Sequence, residues 1–326
     1  MPLPWFQNAF PLYLAPMAGV TDRIFRGLCK ELGADVMVTE FVSAEGIFRK
    51  NERTCEYLDF APAERPIGVQ LFGANPDHLG EAARMVRDWV GPDFLDLNFG
   101  CPVPKVVARN GGSALLKDLP LLERVAKAVV AAAAPCPVTA KIRIGWSQTT
   151  VNALETARIL EDAGIEALAV HGRTKDMGYS GEADWEVIDA VARSVRIPVI
   201  GNGDIRNAQD AARRKRETAV SGLMIGRGAM SAPWIFREIK TFLETGCVPP
   251  PPSAEERWKL IRRHCVLAVE ERGAERSAFH SMRARLMSYC HGMPCAKALR
   301  GRFAAIESLA ELDRIIEENL SAAGSV

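Results

Sequence analysis

Cys101 is the side chain best placed to do chemistry in this sequence. It sits between Gly100 and Pro102, at the end of the run Asp96-Leu97-Asn98-Phe99-Gly100-Cys101-Pro102. A thiol there serves as nucleophile, metal ligand or general acid, and the bland alternative is a buried structural thiol. No His or Cys lies around it at zinc-ligand spacing. With a pKa near ~8.5 a thiol is mostly protonated at neutral pH and has a proton to give. Gln70, Lys141 and His171 also fall in or at the ends of apolar runs. Polar groups there cost free energy unless a ligand or partner satisfies them. Asn202-Gly203-Asp204 and Gly226-Arg227-Gly228 offer backbone N–H groups and the Arg227 guanidinium to a dianion such as phosphate. No metal site is expected, since Cys290, His291 and Cys295 lack a fourth ligand.

These residues need elements to converge them. Eight short apolar runs recur, at 13–18, 35–39, 67–71, 94–98, 138–143, 167–171, 198–202 and 222–225, and helical patterns lie between them. The stretch 76–89 opens with Pro76, 119–134 is rich in Ala and Val, and 151–163 stops at Gly164. Runs apolar on both faces suit parallel strands covered by helices. Eight strand-then-helix units over about 245 residues point to an α/β fold, a (β/α)8 TIM barrel, with an open doubly wound sheet as the rival. In such a barrel function gathers at the C-terminal ends of the strands, where the polar residues above fall. The loops after strands 7 and 8, where both glycine motifs lie, are the recurrent phosphate site.

The chain has 326 residues, 48% apolar and 25% charged, which excludes a disordered chain, a collagen and a small disulfide scaffold. The barrel should occupy 1–245. Four prolines close a spacer at 246–252, and Ser253 with Glu256 forms a capping-box pattern. A small all-helical C-terminal domain should follow at 253–326, with Trp258, Ile261, Cys265 and Ala268 on one face and Phe279, Met282, Leu286 and Tyr289 on another. Lys and Arg (41) nearly balance Asp and Glu (40), so any basic footprint must be local. Between Arg276 and Arg302 lie six basic residues and no acidic one. Arg283 and Arg285 are the leading phosphate contacts there, with Arg173, Lys175 and 213–216 as further candidates. Eight cysteines without a CxxC pair suit a reducing cytoplasm. The first twenty residues lack a basic leader and carry Pro2, Pro4, Pro11 and Pro16, so neither a signal peptide nor a membrane helix is expected.

Together these motifs resemble one family, the tRNA-dihydrouridine synthases, most closely its bacterial B-type branch. Ala15-Pro16-Met17-Ala18-Gly19-Val20-Thr21-Asp22 is similar to the family's opening signature, and the run ending in Cys101-Pro102 to its catalytic motif. Val170-His171-Gly172-Arg173-Thr174, Asn202-Gly203-Asp204-Ile205 and Met224-Ile225-Gly226-Arg227-Gly228-Ala229 continue the match. Gly201 stands where family members often carry alanine. The resemblance implies FMN as prosthetic group, NADPH as electron donor and tRNA as substrate, with no obligate protein partner. It implies reduction of the C5–C6 double bond of uridine, with hydride from flavin N5 to C6 and a proton from Cys101 to C5. Pro16, Met17, Ala18, Gln70, Lys141, His171, Asn202, Gly203, Asp204, Gly226 and Arg227 would hold FMN. Asn98 would position the uracil, and Lys141 and His171 would stabilise negative charge on the reduced flavin. The target base must leave its stack to enter the barrel mouth. Two rival readings are an FMN oxidoreductase of a small pyrimidine-like substrate, which leaves the basic tail unexplained, and a non-catalytic tRNA-binding factor, which leaves Cys101 unexplained.

Overall fold

A computed structural model describes residues 3–50 and 52–323; the two ends of the expected domains, 1–2 and 324–326, lie outside the described residues. The strands are β1 (Leu12–Leu14), β2 (Met37–Val38), β3 (Val42–Ser43), β4 (Ile67–Phe72), β5 (Phe94–Phe99), β6 (Val138–Arg143), β7 (Ala167–His171), β8 (Val199–Asn202) and β9 (Gly222–Ile225). All pair in parallel in the order β1-β9-β8-β7-β6-β5-β4-β2. A bridge between Tyr13 and Val36 closes the ring, and β3 continues the second barrel strand against β4. The (β/α)8 barrel therefore forms.

The first strand is shorter than its apolar run. Pro16 has no N–H to extend the ladder. The chain instead turns, with Val20 and Thr21 N–H both donating to the Met17 carbonyl at 2.9 and 3.0 Å. The Thr21 hydroxyl accepts from Met17 N–H at 2.9 Å.

One large core lies between strands and covering helices, which is why the strands read as apolar on both faces. A smaller one fills the lower barrel, where Leu3, Tyr13, Val36, Phe94 and Ala167 meet. Trp5 caps it from below, donating its indole N–H to the Tyr13 hydroxyl.

After the proline run come helices Ala254–Arg272, Glu275–Tyr289, Ala296–Ala305 and Leu309–Ala323. The first starts with a capping box, since Ser253 Oγ accepts from Glu256 N–H and Glu256 accepts from Ser253 N–H. Their apolar faces meet in a separate core around Trp258, Cys265, Phe279, Leu286 and Phe303. This tail docks beside β1. Phe25, on the helix after β1, stacks on His264 with ring centroids 5.9 Å apart. Arg263 forks onto Glu31 across the same seam.

Candidate active site at the barrel mouth

Side chains alternate across a strand, so every second residue points into the barrel. Register stacks these into rising layers. Asp96 lies level with Thr139, Asn98 with Lys141, and Arg143 with His171 and Asn202. The interior turns from apolar to polar towards the C-terminal ends of the strands.

A chain of hydrogen bonds climbs from the interior to Cys101. Thr139 and Gln70 both donate to the buried Asp96 carboxylate at 2.6 Å. Gln70 Oε1 accepts from Asn98 Nδ2 at 2.8 Å. Asn98 Oδ1 then accepts from Gly100 N–H at 3.1 Å and Cys101 N–H at 2.8 Å, which shapes the turn that carries the thiol. Ser113 holds the other side, donating its N–H and hydroxyl to the Cys101 carbonyl. Gly112, at φ +58°, lies so close that a Cβ there would come 2.8 Å from that carbonyl. Only glycine lets this loop close over Cys101. The thiol is 8% exposed, and burial pushes it up, so it carries its proton at neutral pH.

Lys141 and His171 stand beside it on β6 and β7. Burial, with help from Arg143, pushes the Lys141 ammonium down to about 8. Its hydrogen bond within the protein is to Asn202 Oδ1 at 3.2 Å. His171 is held well below its ordinary value, first by burial and then by Lys141, Arg143, Arg173 and Arg227. It is therefore neutral. Its Nε2 lies 3.4 Å from Arg173 Nη1, and since a guanidinium only donates, Nε2 accepts and Nδ1 carries the proton. The positive charge at the mouth thus comes from Lys141 and the arginines, not from His171.

The two glycine motifs meet at the next corner. Asp204, at φ +53°, accepts from Arg173, Arg227 and Ala183 N–H. Burial alone would raise its carboxyl, but the Ala183 N–H and Arg173 outweigh it and hold the group below its ordinary value. Gly226 and Arg227 open a short helix, Arg227–Ser231, beside Met17. Gly201, behind this corner, faces the Trp185 ring, and an added Cβ would lie 2.5 Å from it. The larger tryptophan uses the space an alanine methyl would need.

The other expected contact residues differ in burial and in the partners their side chains already hold. Gln70 is buried, donating to Asp96 and accepting from Asn98. Asp204 uses its carboxylate on Arg173, Arg227 and the Ala183 N–H. Arg173 is 1% exposed, with its donors on Ser180 O, Gly181 O and Asp204. Arg285 is 6% exposed; it donates to the Val20 carbonyl and lies 4.0 Å over the Phe25 ring. It joins tail to barrel. Arg283 does stay accessible. With Arg272, Arg276, His280 and Glu307 it lines a groove of about 610 Å³ on the tail. Pro16 and Met17 are half-buried, Ala18 is exposed and Gly203 is buried.

Three residues escaped the sequence reading. Glu40, buried beside the first turn, accepts from Gly19 N–H at 2.9 Å. Tyr179, exposed, spans the mouth between Arg143 and Arg227, 6.4 Å from the His171 ring. Trp146 lies on the rim with Lys117 and Lys175 over its ring. Each sits in a loop, where periodicity carries no signal.

The family model for dihydrouridine synthases matches residues 13–324. The chain belongs to this family. It is 38% identical over 325 residues to a probable tRNA-dihydrouridine synthase of Mycobacterium tuberculosis, covering 95% of this chain and 82% of that one. It is 47% identical over 240 residues to tRNA-dihydrouridine synthase B of Xanthomonas campestris, covering 74% and 72% of the two chains. The barrel resembles 6-hydroxypseudooxynicotine amine oxidase of Pseudomonas geniculata at a TM-score of 0.55 and 15% identity, over 71% of this chain and 47% of that one. That likeness concerns the fold alone.

The mouth fits the flavin that the family implies. It offers a half-buried ammonium with a single hydrogen-bond partner among the described residues, a neutral imidazole, and a glycine-bounded corner carrying Arg227. An anionic ring system with a phosphate tail would satisfy these groups.

Proposed function

We propose that this protein reduces uridine in tRNA to 5,6-dihydrouridine, using FMN with NADPH as electron donor. The observation that carries the reading is a buried, protonated Cys101 one hydrogen-bonded turn from Asn98, which itself lies level with Lys141, in a chain of the dihydrouridine synthase family.

Pro16, Met17 and Ala18 would line one side of the flavin and Asn202 and His171 the other. Lys141 would lie against its electron-rich edge. Gly203, the Asp204 backbone, Gly226 and Arg227 would take its phosphate. When bound and reduced, the flavin would supply the hydride for C6 of the uracil. Cys101 delivers the proton to C5. Arg143 and Lys141 stabilise the thiolate left behind, since both draw the thiol's proton affinity down. Asn98 keeps one Nδ2 hydrogen for a uracil carbonyl, while Gln70 fixes its orientation. The tail groove at Arg276 and Arg283 would take RNA phosphates. Among the described residues no helix is long and apolar enough to cross a membrane. The seven cysteines described are free thiols, which fits an enzyme working in the cytoplasm.

The reading is tested by reducing the FMN-loaded protein with NADPH in the absence of oxygen and adding unmodified tRNA transcripts. Reoxidation of the flavin absorbance by tRNA but not by free uridine is expected. Equal reoxidation by free uracil or uridine would instead support a small-molecule reductase.

A further inference from the structure

Trp146 sits just past the end of β6, with a lysine from each neighbouring loop over its indole. Lys117 Nζ lies 4.3 Å and Lys175 Nζ 4.4 Å from the ring centroid. The arrangement is built from the backbone outwards. Gly145 pairs with Val151 across a tight turn, and Ser147 N–H donates to the Thr150 hydroxyl at 3.0 Å. Lys175 N–H donates to Gly145 O and Asp176 N–H to Trp146 O, tying the loop after β7 to this turn. Asn152 Nδ2 donates to Leu116 O at 2.8 Å, tying in the segment that also holds Cys101 through Ser113. Three loops are thus stitched around one indole.

The local charge balance stays positive. Lys175 has Asp176 at 3.3 Å. Asp118, next to Lys117, is engaged in capping the following helix through Leu121 N–H. Among the described residues no carboxylate pairs with Lys117, which is exposed. An indole face attracts an ammonium without neutralising it, so both lysines are held in place with charge still to offer.

Position decides what they meet. In the ring order β6 is the strand diametrically across from β1. The tail docks beside β1, through Phe25 on His264 and Arg285 on Val20. The lysine pair therefore lies on the side of the barrel opposite the docked tail.

We propose that Lys117, Trp146 and Lys175 form a second RNA contact that takes backbone phosphates of the strand leading away from the target uridine. The indole acts as a template that pre-orders the two ammonium groups and so lowers the entropic cost of binding them to phosphate. This site rests on the tRNA-reducing reading, yet it is testable apart from turnover.

The experiment measures equilibrium binding of unmodified tRNA transcripts across a salt series. It compares the full-length FMN-loaded wild type with Lys117→Ala/Lys175→Ala, Lys117→Arg/Lys175→Arg and Trp146→Leu. Bound flavin per chain checks folding. For the alanine pair, affinity should fall about tenfold, and the slope of log affinity against log salt should flatten by about one to two. The arginine pair should stay within about twofold of wild type. Trp146→Leu should lose about threefold with the slope kept. Wild-type affinity and slope in the alanine pair would overturn the site, and an arginine pair as weak as the alanine pair would overturn the phosphate role. Failure of wild type to make dihydrouridine would sink the functional reading without touching this measurement.

Discussion

At the barrel mouth, Lys141 is pushed down to about 8, Arg143 is lowered and His171 stays neutral, all chiefly because burial opposes their charge. On the tail, Arg262 lies against Asp313 and Arg302 against Glu318 on the surface, and Arg262 is raised by its carboxylate partner. The residue types are the same and the consequences opposite. Lys141 meets only an amide oxygen and awaits an anionic partner, whereas those tail cations are already paired with carboxylates in water. Burial alone does not separate the two uses. His264, in the tail, is also buried and pushed down to about 3. Its ring is closed in by Phe25 and Tyr289 and has no exposed surface, so it packs and does not react. His171 keeps 7% exposure at the open end of a barrel. What marks a site is a strained charge that a ligand can still reach.

That contrast can be broken most forcefully at Cys101. Cys101→Ala should lower dihydrouridine formation about 10²- to 10⁴-fold, the usual contribution of a positioned proton donor, with tRNA affinity kept. Rapid-quench assays on reduced enzyme measure it, and turnover at the wild-type rate would remove the thiol from the mechanism. Lys141→Met should weaken flavin binding about 10- to 100-fold, the value of one hydrogen bond to a charged group, read by titrating apoprotein with FMN. The pH dependence has a definite sign. The ammonium binds an anionic partner only while protonated, so flavin affinity should hold below pH 8 and fall as pH rises through about 8. His171, neutral across this range, should add no step between pH 6 and 8.

Smaller effects sharpen the comparison from the tail side. Arg285→Ala leaves the Val20 carbonyl without its donor and should cost about 1–3 kcal/mol in chemical unfolding. Arg262→Ala removes a surface pair and should cost less than about 1 kcal/mol, shrinking further in high salt. A larger loss at Arg262 than at Arg285 would invert the distinction between buried joint and solvated pair.

Much of this was legible in the sequence because the barrel repeats. Strand-then-helix alternation located all eight barrel strands, and polar residues at strand ends located the mouth. The burial of Arg173 and Arg285 was not legible, because a basic residue in sequence looks the same whether solvated or buried. Their partners, Asp204 and Val20, lie 31 and 265 positions away. Glu40, Tyr179 and Trp146 were missed because loop packing places them. The first strand was drawn too long because the apolar run continues past Pro16, where the ladder cannot.

The central claim is that this mouth reduces uridine within tRNA. The most direct measurement incubates the FMN-loaded protein with NADPH and either unmodified tRNA transcripts or free uridine, then digests the RNA and maps products by nucleoside mass spectrometry. The account predicts uridine heavier by two hydrogens, at defined positions of the tRNA, with free uridine unchanged. NADPH oxidation with no heavier uridine in any transcript, or free uridine reduced as fast as tRNA, would contradict it.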